Sequence, residues 1–287
     1  FAERENRIHP LKDDKILTDW NGLMIAALSL GARVLGNPYY KDAAENSAKF
    51  VLRSMRDEKG RLMKRSRLGE AGLSSHLDDY AFMVWGLINL YETTFNPDYL
   101  GSAINLTEIM IEDFSDENGG FFIGSKDAEK LMVRAKDSYD GAIPSGNSVA
   151  AMNLFRLGKI TGNTYWINFA DKTLKAFTEQ AKQSPTGFSH MLSAFMFDEK
   201  NPKEIILVGE LDHPKTRERL AKLQKEYLPE TVMVFKDISS SKKIEAIAPW
   251  IINNVMLGDE ITYYVCENFS CKQPTTNLDL ALKFLNE

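Results

Sequence analysis

Three short acidic clusters hold most of the side chains able to do chemistry in this chain. Asp13, Asp14 and Asp19 crowd against the apolar run of DDKILTDWNGLMIAALSL; Asp78 and Asp79 stand in HLDDYAFMVWGLINL; Asp137 and Asp140 lie in DSYDGAIPSGN. Two carboxyl groups facing each other across roughly 5–9.5 Å can act as acid and base, or acid and nucleophile, on a glycosidic bond. Asp79 with Asp14 or Asp140 forms the candidate pair. The competing use of an aspartate at a helix start is to cap it, worth ~1 kcal/mol. One of the adjacent Asp78 and Asp79 suffices for that, which leaves the other free. Trp20 and Tyr80 are either core aromatics or stacking platforms for a sugar ring. Asn21, Ser145 and Asn147 either hydrogen-bond neighbouring loops or recognise hydroxyl groups. His190, among apolar neighbours in SHMLSAF, is either a core or rim histidine or a general base. His9, His76 and His213 lack metal-ligand spacing, so neither a metal site nor a cofactor is expected.

A repeat positions these residues. WNGLMIAALSLGARVLGNPYY from Trp20, DYAFMVWGLINLYETTFNPDYL from Asp79 and GNSVAAMNLFRLGKITGNTYW from Gly146 each run an apolar helix into an Asn 17 residues after the start. Asn37, Asn96 and Asn163 read as N-caps, and Pro38 and Pro97 as first helical residues. The helices before these Asn residues are apolar nearly all round and must be buried, whereas those after them, such as TYWINFADKTLKAFTEQA, keep one wet face. Each unit is thus an inner and an outer helix, and GFSHMLSAFMF (Gly187–Phe197) reads as a fourth inner helix. The Asn residues are 59 and 67 apart, beyond the ~34–47 of helical solenoids, so a two-layer ring fits better.

The extra length between units starts at DEKG (Asp57) and DENGG (Asp116) and delivers the chain to the inner helices' N-terminal ends, so the three acidic clusters converge at one mouth. Helices are expected over Met24–Leu30, Phe82–Leu90 and Val149–Leu157. Thr18 or Asp19 is expected to cap the helix containing Gly22 to Val34. Asp13 and Asp14 then face the mouth or pair with Lys12, Lys15 or a basic loop, and the unpaired N–H groups there favour the mouth. GGFFIGS reads as a short strand at a turn. Arg61–Arg67 and Lys130–Lys136 read as basic loops, solvated or open to an anionic ligand.

From Pro202 the pattern changes. EIILVGE, TVMVFK and EITYYVCE read as strands, and HPKTRERLAKLQKEYL and NLDLALKFLNE as helices, giving a small α/β unit. LVGE lacks the glycines of a dinucleotide fingerprint. With 287 residues, 26% charged residues and a net charge of −5, no overall basic field draws nucleic acid or an anionic membrane. No apolar run reaches the ~20 residues of a membrane span. FAERENRIHP carries no signal or transit peptide and no initiator Met, so the chain reads as a fragment of a longer one, cytoplasmic by default. Cys266 and Cys271, spaced C-x4-C, read first as free thiols, then as a redox pair, and last as metal ligands.

DDKILTDWNGLMIAAL, LDDYAFMVWGLINLYE, DGAIPSGNSVAA and YVCENFSCKQP together resemble the spermatogenesis-associated protein 20 family of thioredoxin-domain proteins. The resemblance implies an N-terminal thioredoxin-like domain elsewhere in the same full-length chain. It also implies a six-hairpin (α/α) toroid like that of glycosidases and N-acylglucosamine 2-epimerase, of which this chain holds the C-terminal part. It raises the redox reading of Cys266 and Cys271. The fold expected is therefore mainly α: a partial (α/α)6 toroid over residues 1–200, then a small α/β domain over 201–287. Two functions are carried forward. One is a glycoside hydrolase or sugar epimerase taking a carbohydrate or sugar phosphate at the mouth. The other is a binding or scaffold module without catalysis, attached to the redox domain.

Overall fold

The computed structural model describes residues 1–129 and 132–287; Lys130 and Leu131, part of the expected basic segment Lys130–Lys136, lie outside the described residues. In chain order the elements are α1 (Ala2–Glu5), β1 (Ile16–Leu17), α2 (Thr18–Leu35), α3 (Pro38–Ser54), β2 (Met63–Arg67), β3 (Glu70–Ser74), α4 (Leu77–Thr94), α5 (Pro97–Phe114), α6 (Gly146–Thr161), α7 (Thr164–Gln183) and α8 (Ser189–Glu199). There follow β4 (Lys203–Gly209), α9 (Pro214–Leu223), β5 (Thr231–Asp237), α10 (Lys242–Ile247), β6 (Thr262–Glu267), β7 (Ser270–Cys271) and α11 (Leu278–Asn286).

The helical part is two layers of antiparallel hairpins. α2, α4, α6 and α8 lie side by side as the inner layer, and α3, α5 and α7 each pack on the inner helix before them. The fold is mainly α, an arc of an α/α toroid followed by a small α/β unit. The three runs expected to be inner helices are helical. Asn37, Asn96 and Asn163 each accept the amide two residues on, at 3.0 Å, so the repeat rests on a capped turn that satisfies an otherwise orphaned donor. α4 is buried along nearly its whole length, as a helix without a polar face must be. Its contact with α2 is a backbone-to-backbone approach: a Cβ on Gly22 would fall 2.4 Å from the Phe82 carbonyl carbon. At the C-terminal end of the inner helices, Glu92 of α4 accepts from Arg33 of α2 at 3.0 Å and from Arg156 of α6 at 2.8 Å, all three nearly buried.

Three local expectations are corrected. Neither Thr18 nor Asp19 is the N-cap of α2: the helix begins at Thr18 and Leu17 is its N-cap, without a side-chain cap bond, while Asp19 accepts the Trp20 amide from within the first turn at 2.8 Å. Arg61–Arg67 is not a loop, because Met63–Arg67 forms the central strand of an antiparallel sheet, β1-β2-β3. Its hairpin turns through Leu68 and Gly69, both at positive φ, the two-residue geometry that matches strand twist. GGFFIGS forms only isolated bridges, Ser115–Phe121 and His76–Gly124.

The last sheet has the order β5-β4-β6-β7, with β4 parallel to β5 and antiparallel to β6. β4 is buried from Glu204 to Gly209, as a strand covered on both faces reads. Glu204, on this strand, pairs with Lys159 of α6 at 3.2 Å, joining the arc to the α/β unit. Cys266 and Cys271 are opposite each other across β6 and β7 and are bonded as a disulfide. This corrects the free-thiol reading: the two-residue turn between Glu267 and Ser270 sets the register that brings the sulfurs together. No helix of the described residues is long and apolar enough to cross a membrane.

Candidate functional site

The N-terminal ends of α2, α4, α6 and α8 gather the acidic residues singled out above. Each inner helix start leaves amide donors without intrahelical partners, and here local side chains share them with carboxylates from elsewhere in the chain. Asp79, on the first turn of α4, is 0% exposed. One of its oxygens accepts the Asp19 amide at the start of α2 at 3.1 Å, and the other accepts the His76 amide at 2.7 Å. Asp140 accepts the Ser145 amide at 2.9 Å and, at the start of α8, the His190 and Met191 amides at 2.8 and 3.0 Å. Asp78 lies against the Gly146 amide at the start of α6, where any side chain would collide with its carboxylate and with Leu77. Ser145 closes α6 locally, its hydroxyl accepting the Ser148 amide at 3.2 Å.

Lys64 of β2 completes the cluster. Its ammonium reaches Asp19 at 2.6 Å and Asp79 at 3.2 Å. Burial pushes the Asp79 carboxyl up to about 7, against the pull of Lys64 and the His76 amide. Burial also raises Asp78, aided by the negative charges of Asp19 and Asp137 and opposed by Lys64. Lys64 loses solvation, yet Asp79 and Asp19 together hold its pKa above the ordinary lysine value. Burial and then Lys64 depress His76, which favours its neutral form. Lys64 escaped the sequence reading as an individual residue. Its signal was the polar run MKRSR before Leu68-Gly69, a solvated hairpin strand that aims one lysine inward.

The raised Asp79 pKa fixes a pH dependence. The folded carboxyl holds its proton more tightly than an unfolded aspartate at ~3.9. Its contribution to stability is therefore fully present below pH ~4 and is lost as pH rises through about 7. Urea unfolding between pH 4 and 8 should show stability falling across that window. Asp79→Asn should flatten this part of the slope; an unchanged slope would assign it to other groups.

The remaining candidates divide. Asn147 is buried and cross-links: it accepts the Phe121 amide at 2.7 Å and donates to the Phe121 and Asp137 carbonyls at 2.9 and 2.7 Å. Asn21 donates to the Leu17 carbonyl at 2.7 Å and accepts from Ser47 at 2.9 Å. Tyr80 is 1% exposed, its ring against Phe114 and its hydroxyl accepting the Leu62 amide at 3.0 Å; it is a core ring and not a stacking face. Trp20 is the opposite, 62% exposed, beside an open cavity of about 740 Å³ whose walls include Leu17, Asn21, Ser47 and Phe50. His190 stacks obliquely on Trp85 at 5.0 Å, and burial lowers its pKa. Asp14 does not join the cluster: it is exposed and accepts from Arg67 Nε at 2.6 Å. Asp13 likewise pairs with Lys15 at 2.9 Å. A second cavity, about 300 Å³ and largely polar, opens among Asp57, Arg61, Ser75, Tyr80, Asp113 and Asp127. Among the described residues no group of three or more His, Cys, Asp or Glu side chains is set to hold a metal ion.

No family model matches the chain. It is similar to spermatogenesis-associated protein 20 of Homo sapiens, 34% identical over 96% of this chain and 37% of the human protein. The Rattus norvegicus protein of that name is 33% identical over 96% of this chain and 36% of its own length, and an uncharacterised Caenorhabditis elegans protein 29% identical over 94% and 38%. The chain thus spans little more than a third of the relatives it matches. Among solved structures, an α-mannanase from Bacteroides thetaiotaomicron matches with a TM-score of 0.49 and 18% identity, over 60% of this chain and 47% of its own. Cellobiose 2-epimerase from Bacillus thermoamylovorans matches with a TM-score of 0.49 and 18% identity, over 59% and 46%.

Proposed function

We propose that this chain, which resembles the spermatogenesis-associated protein 20 family along nearly its whole length, takes a carbohydrate at the acid-lined ends of its inner helices. The reading is of glycoside hydrolase or sugar epimerase type, with Asp78 exchanging the proton. The observation that carries it is the split between two adjacent carboxyls. Asp79 is closed in by Lys64 and two amides, so it positions the cluster. Asp78 is only partly buried, and burial and neighbouring acids raise its pKa, a shift toward the protonated form that a general acid needs. Trp20, exposed at the start of the neighbouring inner helix, offers an aromatic face to a sugar ring. Asp14 and Asp140 enter this reading as an outer ion pair and a helix cap rather than as acid and base.

A second reading is favoured by a different observation. Asp78, Asp79 and Asp140 each take up amide donors from another helix start or loop. In a binding or scaffold module, attached to a thioredoxin-like domain in the longer protein, that fastening is the whole role of the acids.

One experiment separates them. The full-length protein is screened by thermal shift against a mixed library of sugars and sugar phosphates. A ligand at 100 times its Kd adds ~2.7 kcal/mol of stability, and hits are assayed for hydrolysis and epimerisation. Asp78→Asn should abolish turnover of a hit at least about 100-fold with little change in melting temperature. Turnover surviving in Asp78→Asn overturns the first reading, and a library without any hit favours the second.

A further inference from the structure

The disulfide-closed hairpin of β6 and β7 reaches out of its own sheet. Its turn residues Asn268 and Phe269 both adopt left-handed backbone, at φ 51° and 64°. The pair matches the turn a two-residue hairpin prefers, but a phenylalanine there is unfavourable, because its Cβ crowds the following carbonyl oxygen. Three groups outside the hairpin hold it in place. The Phe269 amide donates to Glu204 at 3.2 Å, Asn268 accepts from Lys159 at 2.8 Å, and the Phe269 ring meets Trp250 edge-on at 5.2 Å. Lys159 belongs to α6 and is buried with Glu204 of β4, while Trp250 donates to the Ile160 carbonyl of α6 at 2.9 Å. The hairpin tip therefore sits on the joint between the helical arc and the α/β unit.

The two sulfurs are unlike. Cys266 is buried and Cys271 is exposed, and a cavity of about 440 Å³ opens beside them, walled by Lys203, Lys272, Phe284 and Glu287. β7 is only two residues long; beyond it the Lys272 amide donates to the Val265 carbonyl at 2.9 Å and Thr275 bridges Tyr263, so the disulfide closes the tip end of a ladder whose other end is held by backbone bonds.

We propose that Cys266–Cys271 is a thiol–disulfide exchange site for an external dithiol, attacked at Cys271, and that its reduction frees the hairpin tip from Lys159, Glu204 and Trp250. A thiolate of the dithiol attacks the Cys271 sulfur. The Cys266–Cys271 bond breaks, its electron pair goes to Cys266, and that sulfur takes a proton from water. The second thiol of the dithiol, deprotonated, then attacks its own mixed-disulfide sulfur and expels Cys271 as a thiolate, which is protonated in turn. The dithiol leaves oxidised to a disulfide, and the protein holds two thiols.

The test uses dithiothreitol as the dithiol on the folded chain. Free thiols are counted by alkylation and mass, and hydrogen exchange is read at the Phe269 amide. Two alkylated cysteines should appear without unfolding, and Phe269 protection should fall by on the order of tenfold, the worth of roughly one hydrogen bond with its packing. Cys266→Ser/Cys271→Ser should show the low protection with or without dithiothreitol. Phe269→Leu, which keeps the sulfurs but removes the ring contact, should lower protection while leaving the disulfide reducible. Free thiols in the protein as isolated from an oxidising preparation, thiols that appear only on unfolding, or equal protection before and after reduction would each overturn the proposal.

Discussion

Glu92→Ala is expected to destabilise the chain by about 3–5 kcal/mol, read as a drop in the urea midpoint at unchanged m-value. Glu92 is only 3% exposed and receives two guanidinium groups, Arg33 from α2 and Arg156 from α6. Burial already depresses the Arg33 pKa, and the negative charge of Glu92 is the strongest influence opposing that loss of solvation. Truncating the carboxylate leaves two cations desolvated and facing each other across three helices. The penalty is that of unpaired buried charge, larger than the net worth of the pair. Replacing all three residues with apolar side chains of similar volume should restore most of the loss, because the triad's attraction is largely offset by its own desolvation. A Glu92→Ala chain within about 1 kcal/mol of the parent would mean that water reaches the triad.

Gly22→Ala should destabilise by about 3 kcal/mol or more, although alanine is the better helix former by ~1 kcal/mol. The added methyl would sit 2.4 Å from the Phe82 carbonyl carbon and 2.6 Å from the Met83 nitrogen. Those are backbone atoms of α4 that no rotamer change can move, so α2 and α4 would have to separate along the most extensive contact of the arc. Gly31→Ala on the same helix is the control. Its methyl meets only the Tyr40 ring, at 3.6 Å, so it should be neutral or stabilising by up to ~1 kcal/mol. Thermal unfolding of the two variants side by side decides between steric conflict and a general intolerance of α2.

The hairpin arc was legible because its determinants are local. A helix apolar all round, an Asn–Pro cap and a fixed interval need no knowledge of the partner. The site was legible in its residue types and in their gathering at one end, but not in its wiring. Asp79 reads as the cap of its own helix, yet one oxygen caps α2, 60 residues earlier in the chain. Nothing in DDY announces that, since it depends on how closely Gly22 and Gly86 let α2 and α4 approach. Lys64 was lost with the hairpin that carries it: MKRSR has no apolar alternation, and Leu68-Gly69 is not among the strong turn pairs such as Asn-Gly. The pairing of Cys266 with Cys271 ranked behind free thiols for the same reason. Five residues of separation become a cross-strand pair only once Asn268 and Phe269 take left-handed backbone.

Capping across helices also decides how the arc comes apart. A helix closed by its own side chain can fray one turn at a time, because the cap leaves with the turn it satisfies. In this arc the first turn of α2 depends on Asp79 of α4, that of α6 lies against Asp78 of α4, and that of α8 depends on Asp140, which precedes α6 in the chain. Opening one inner helix at that end strands a carboxylate belonging to another. The starts of α2, α6 and α8 are thereby tied to carboxylates outside themselves, and this acid-lined end of the arc is bound into a unit that resists opening piecemeal.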